Sequence, residues 1–122
     1  MLLGNFFTIS NIATAGFEVN ATLLINTSHK IFDGHFPGQP VVPGVCMMQM
    51  MKEIMEQVTG KKMDLIKSSE MKFLAVINPL ENNHIQATLK YAPDENGKLI
   101  VSATLFKDQL TYFKFKGLLD LQ

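Results

Sequence analysis

Between Pro43 and Gly60 the chain reads PGVCMMQMMKEIMEQVTG, a helix that is apolar almost all the way round. Pro43 suits the first helical position, where the missing N–H is not needed. Gly60 stops the helix after about Thr59. Val45, Met47, Met48, Met51, Ile54, Met55 and Val58 cover most of the circumference, and Gln49, Lys52, Glu53 and Glu56 form one narrow polar stripe. Such a helix is a core element that the rest of the chain must wrap.

The remaining pattern supplies the wrapping. Phe17, Val19, Ala21, Leu23 and Ile25 alternate with Glu18, Asn20 and Thr22, which predicts a half-buried strand. Phe6 to Thr14 is its expected hairpin partner, turning at Ala15-Gly16. Residues 26 to 42 carry Gly34, Pro37, Gly38 and Pro40 with no period and read as a loop. After the helix, Met71 to Ile77, His84 to Tyr91, Leu99 to Phe106 and Leu110 to Leu119 read as strands. Asp94 to Gly97 and Asp108-Gln109 are the expected turns. Two strands, one long helix and four strands make an α+β domain, an antiparallel sheet curled around the helix, spanning residues 1–122.

Charge excludes several functions. The 11 basic and 11 acidic residues give a net charge of zero with no run of either sign, so neither nucleic acid nor an anionic membrane is an expected partner. With 47% hydrophobic residues, part of the surface is expected to be buried in an oligomer. The N-terminal MLLGNFFTIS lacks a basic leader and a long apolar run, so no signal peptide or membrane span is expected. The single cysteine, Cys46, allows no internal disulfide and fits a reducing compartment, hence the cytoplasm. It reads as a small buried hydrophobe, with a reactive thiol at a helix start as the alternative. No cofactor and no metal are expected.

The chemistry concentrates in FDGHFPGQPVVPGV, Phe32 to Val45. Pro37, Pro40 and Pro43 each fix their own φ and bias the preceding residue toward extended geometry, so the path of this loop is set at low entropic cost. The open N–H groups of the first helical turn, from Gly44 onward, carry partial positive charge. A histidine held beside them, His35, has what is needed to abstract a proton next to a carbonyl while the amides hold the developing oxyanion. His29 reads as a loop residue and His84 as the start of a strand. The methionines of the helix read as core filler, with an adaptable wall for an acyl chain as the alternative.

His35-Phe36, then Pro40, then Pro43-Gly44-Val45, resembles the signature of the hot-dog-fold 3-hydroxyacyl-acyl-carrier-protein dehydratases of fatty-acid synthesis. EMKFLAVINPLENNHIQATLKY is similar to the strand pair that follows the helix in those enzymes. The resemblance implies a sheet wrapped around the central helix and a homodimer, or a higher homo-oligomer, with two active sites at its interface. It also implies an acyl carrier protein as partner. Carried over by position, His35 is the catalytic base and the Gly44 N–H holds the thioester carbonyl. Phe36, Val45 and Met48 are expected around the same substrate.

The family's acidic residue on the helix falls on Gln49. A carboxyl can protonate a departing hydroxyl, whereas a carboxamide can only donate a hydrogen bond. Three routes stay open: His35 acting alone, Glu53 reaching the site through water, or an acid from a partner of different sequence. Gln49 can equally be the first solvated residue of the polar stripe. The function expected is dehydration of a 3-hydroxyacyl thioester. The alternatives are a binding module for acyl thioesters, possibly paired with a catalytic homologue, and a thioesterase.

Overall fold

Among the described residues, the alternation and the turn signals resolve into six strands and two helices. The computed structural model describes every residue except His35 and Pro37, so the histidine assigned as base, and the first of the three loop prolines, lie outside the described residues. The elements are β1 (Phe7–Ala15), β2 (Glu18–Ile25), α1 (Ile31–Gly34), α2 (Gly44–Thr59), β3 (Met63–Phe73), β4 (His84–Pro93), β5 (Leu99–Lys107) and β6 (Leu110–Leu121). One sheet in the order β1-β2-β4-β5-β6-β3 holds all six strands, and every neighbouring pair is antiparallel.

The sheet buries the face that alternation predicts. Val19, Ala21, Leu23 and Ile25 of β2, Ile85, Ala87 and Leu89 of β4, Val101, Ala103 and Leu105 of β5, and Phe113, Phe115 and Leu119 of β6 form one cluster. Cys46, Met47, Met50, Met51, Ile54 and Met55 of α2 pack into the same cluster. Methionine suits this position because an unbranched thioether fills uneven gaps over a twisted sheet.

The ends of α2 follow from two residues. Pro43 is its N-cap, with φ −62° and ψ 146°, one position earlier than expected for a first helical residue. Gly60 closes it in the left-handed region (φ 73°), its N–H bonded to the Glu56 carbonyl at 2.8 Å. The Asp94–Gly97 turn forms as expected: the Lys98 carbonyl accepts from the Asp94 N–H, and Asp94 Oδ1 accepts from the N–H groups of Asn96 and Lys98.

Four expectations need correction. Phe17 falls in the β1–β2 turn and is 58% exposed, its ring against Tyr91 rather than in the core. The loop contains the short helix α1, whose Phe32 packs on Phe6 at 5.5 Å. The strand after α2 runs from Met63 to Phe73 and not from Met71 to Ile77. Two register shifts interrupt its pairing with β6 and most of it faces solvent, so it carries no readable period. The polar stripe is not solvated throughout, because Glu53 is buried at 2% exposure. No described helix is long and apolar enough to cross a membrane.

Candidate functional site

The start of α2 is the natural centre of a site, because it offers donors that the helix cannot use. The Pro43 carbonyl accepts from the Cys46 N–H at 3.0 Å and the Met47 N–H at 3.2 Å, and Pro43 has no N–H of its own. Among the described residues, Gly44 and Val45 therefore hold the open donors of the first turn. These are the groups that the loop pattern assigned to an oxyanion.

The loop and the segment after β3 meet at this point. The Val42 N–H bonds to the Ile77 carbonyl at 3.0 Å, and the Leu74 N–H bonds to the Tyr112 carbonyl at 2.8 Å. Together they bound a cavity of about 370 Å³ lined by Val41, Val42, Gly44, Met47 and residues 73–76. The lining is predominantly apolar, with the helix start at one side. Phe73 forms part of it: its ring lies 5.0 Å from that of Phe113 and reaches over the Gly44 backbone. A Cβ at Gly44 would stand 2.8 Å from Phe73 Cε1, so the close approach needs glycine.

The assigned residues spread around this centre. Gly44 lines the cavity. Val45 follows it on the helix and is 76% exposed, and Met48 is half-buried against the core. Phe36 is exposed in a tight turn in which its N–H bonds to the Gln39 carbonyl and the Gln39 N–H returns the bond. Phe73, Leu74 and Val76 were not singled out from sequence, although they lie in the EMKFLAVINP stretch that carries part of the resemblance.

Gln49 is half-buried, and its Nε2 donates to Glu53 Oε2 at 2.8 Å. Glu53 in turn accepts from the Leu2 N–H at both oxygens (2.9 and 2.8 Å) and from the Leu3 N–H at Oε1 (2.7 Å). A buried carboxylate costs several kcal/mol of desolvation unless donors replace its water, and here four N–H contacts do so. Glu53 is thus the anchor of the chain's first residues on α2 and does not face the cavity. Cys46 is buried, and burial pushes its thiol above the usual cysteine range, which fits the inert reading of this cysteine.

A six-stranded antiparallel sheet packed on one apolar helix, with a donor-bearing helix start beside an apolar cavity, is the hot-dog fold. Residues 11–114 match the family described as ApeI-like, ApeI dehydratase, and the chain belongs to that family. Among curated relatives, the 3-hydroxyacyl-acyl-carrier-protein dehydratase FabZ of Rickettsia bellii is 35% identical over 73 residues, covering 53% of this chain and 50% of the relative. The chain thus spans about half the length of the first relatives that it matches. FabZ of Rickettsia akari is 26% identical over 114 residues, covering 84% of this chain and 79% of the relative. The solved structure described as the dehydratase heterocomplex ApeI:P from Xenorhabdus doucetiae superimposes with a TM-score of 0.67 at 23% identity, over 91% of this chain and 95% of that one. The conserved protein PA5202 of Pseudomonas aeruginosa gives 0.65 at 9% identity, over 92% and 87%.

Proposed function

We propose that this protein is a 3-hydroxyacyl-acyl-carrier-protein dehydratase of fatty-acid or related acyl synthesis, working as one cytoplasmic domain in a homodimer. The Gly44 N–H holds the thioester carbonyl, and the apolar cavity beside it receives the acyl chain. His35 takes a proton from C2, the electron pair forms the C2–C3 double bond, and the C3–O bond breaks. Since Glu53 is occupied by the N–H groups of Leu2, Leu3 and Gln49, His35 returns the same proton to the departing oxygen, and water and the trans-2-enoyl thioester leave. The observation that carries this reading is the open Gly44 N–H on the edge of a 370 Å³ apolar cavity. The family and the relatives' names support it.

The edge strand β3 supports the dimer. Leu65, Ile66, Met71 and Phe73 are all at least 38% exposed there, as are Leu74, Val76 and Val45 nearby. An unpaired edge with that much apolar surface is a template for pairing with a second chain.

A second reading is favoured by Gln49. A carboxamide at the family's acid position supports a protein that grips acyl thioesters without eliminating water, alone or beside a catalytic homologue. Incubation with 3-hydroxybutyryl and crotonyl carrier-protein thioesters, followed by mass analysis, separates the two. Interconversion that disappears in His35→Ala is the expected result. Binding without interconversion would overturn the dehydratase reading in favour of the second, and release of free acid would indicate a thioesterase.

A further inference from the structure

We infer that the open edge of β3 pairs with the β3 edge of a second copy of this chain in a single register, set by charge. Ser68 stands opposite Ser68 on the two-fold axis, and Asp64 stands opposite Lys72 on either side of it. This rests on the dimer reading given above and deepens it.

The outer face of the β3–β6 pair carries a conflict that one chain does not resolve. Asp64 stands opposite Asp120 at one end, and Lys72 stands opposite Lys114 at the other. Like charges directly opposite each other destabilise a sheet. Asp64 Oδ1 accepts from Gln122 Nε2 at 2.8 Å, and Lys72 Nζ lies 3.0 Å from Glu70 Oε1. Asp64 and Lys72 are both exposed, and a carboxylate and an ammonium each have capacity for further partners. β3 is an edge strand, so one of its sides is open. A second copy brought up antiparallel sets the acidic end of one chain against the basic end of the other.

The facing of the side chains limits the register further. Their β6 partners place Met63, Leu65, Ser68, Met71 and Phe73 on the core side of the sheet, and Asp64, Lys67, Glu70 and Lys72 on the outer side. Ile66 and Ser69 fall at the two register shifts and count for neither side. Residues that pair across two strands must share a face. With the axis at Ser68 they do: Met63 meets Phe73, Asp64 meets Lys72, and Leu65 meets Met71. Leu65 and Met71 are each 38% exposed in the single chain, so the same register covers an apolar pair. With the axis at Lys67 the faces still match, but Lys67 meets Lys67 and Asp64 meets Glu70. With the axis at Ser69, Lys67 meets Met71 and Ser68 meets Glu70, core side against outer side. An axis between Lys67 and Ser68 or between Ser68 and Ser69 sets Asp64 against Met71 or Phe73, again on opposite faces. The register at Ser68 also brings the seam to the cavity, because Phe73 is part of its wall.

Sedimentation and native mass spectrometry at micromolar concentration test the charges. Asp64→Lys and Lys72→Asp each create two like-charged pairs across the axis and should weaken the dimer about tenfold or more. An equimolar mixture of the two variants should form the mixed dimer in preference to either self-pair, because both of its pairs are again Lys against Asp. A statistical mixture of the three dimers would overturn the register. Ser68→Cys should form an intermolecular disulfide under mild oxidation, since opposed residues of an antiparallel pair have Cα atoms about 4.5–5.5 Å apart. The parent's single cysteine, Cys46, is buried and does not compete. Faster cross-linking through Lys67→Cys would move the axis and overturn the inference. All four positions are exposed, so the substitutions leave the core intact. A monomeric parent would remove the dimer reading itself. A parent dimer indifferent to these substitutions would leave that reading standing and overturn only the register.

Discussion

The Phe73 ring lies directly against the backbone of Gly44, so close that a Cβ on Gly44 would stand 2.8 Å from Cε1. The contact joins the helix donor to the wall of the cavity. Gly44→Ala forces the ring aside, and Phe73 is 51% exposed, so it has room to move. The stability loss should stay near the low end of the roughly 1–3 kcal/mol of overpacking. Turnover of a 3-hydroxyacyl thioester should fall at least tenfold, because a misplaced wall spoils the reacting geometry. Combining Gly44→Ala with Phe73→Ala should restore the melting temperature. A double variant no more stable than Gly44→Ala alone would show that the ring contact is not what glycine permits.

Assembly should depend on the outer face of β3. Ile66 is 51% exposed at the first of the two register shifts of that strand, where the pairing passes from Leu65 to Lys67. The parent protein is expected to sediment as a dimer at micromolar concentration. Ile66→Lys puts a charge on the edge and should shift it toward monomer, with activity falling in parallel if the site is shared. A parent that sediments as a monomer would remove the basis for a composite site.

Stability should fall in alkali for a stated reason. Burial pushes the Cys46 thiol up from its ordinary value. Burial also pushes the Tyr112 hydroxyl up, with the Asn82 side chain pulling the other way. Both groups are neutral in the folded state where an unfolded chain would already ionise them. Their contribution is complete below the unfolded values and is lost as pH rises beyond about 9. Thermal melts between pH 8 and 10.5 should show a declining midpoint, and Cys46→Ala with Tyr112→Phe should flatten that slope. An equal slope in the double variant would assign the decline to other groups.

What could be read from sequence tracks how local the determinant is. Pro43 and Gly60 mark α2 to within one residue because capping depends on neighbouring backbone alone. Val19 to Ile25 alternate because one face of β2 is buried and the other is not. The start of β3 was illegible for the converse reason: an exposed edge strand with two register shifts has neither a buried face nor a constant register. Glu53 misled because, besides Gln49, its partners are backbone N–H groups of Leu2 and Leu3, which no side-chain pattern records. At the site, the open donors of the first turn of α2 were legible from Pro43 and the helix pattern. The cavity wall at residues 73–76 was not, because it forms only where the chain leaves β3 and bonds to Tyr112 and Val42.

Gln49→Glu is the substitution from which most can be learned. It replaces a carboxamide by a carboxyl of nearly the same shape, 2.8 Å from Glu53 Oε2. Two carboxylates at that distance cannot both ionise readily, so the pair should hold one shared proton with its upper pKa raised. That proton gives the departing hydroxyl a second donor, where in the parent protein only His35 returns one. Dehydration of a 3-hydroxyacyl thioester should rise by one to a few orders of magnitude, the usual worth of a general acid. The gain needs the protonated pair, so it should be full at low pH and vanish as pH rises through the upper pKa. The stability of the variant should follow the same direction, since a raised folded pKa stabilises below the unfolded value and loses that contribution above it. Exchanging the two residues, Gln49→Glu with Glu53→Gln, keeps an amide–carboxylate bond in reversed order. Stability at high pH should return in that double variant, because only one charge remains. Its rate gain should shrink as the shared proton is lost. If Gln49→Glu leaves the rate unchanged at every pH while His35→Ala still abolishes it, then His35 both takes and returns the proton unaided, and Gln49 is only a spacer.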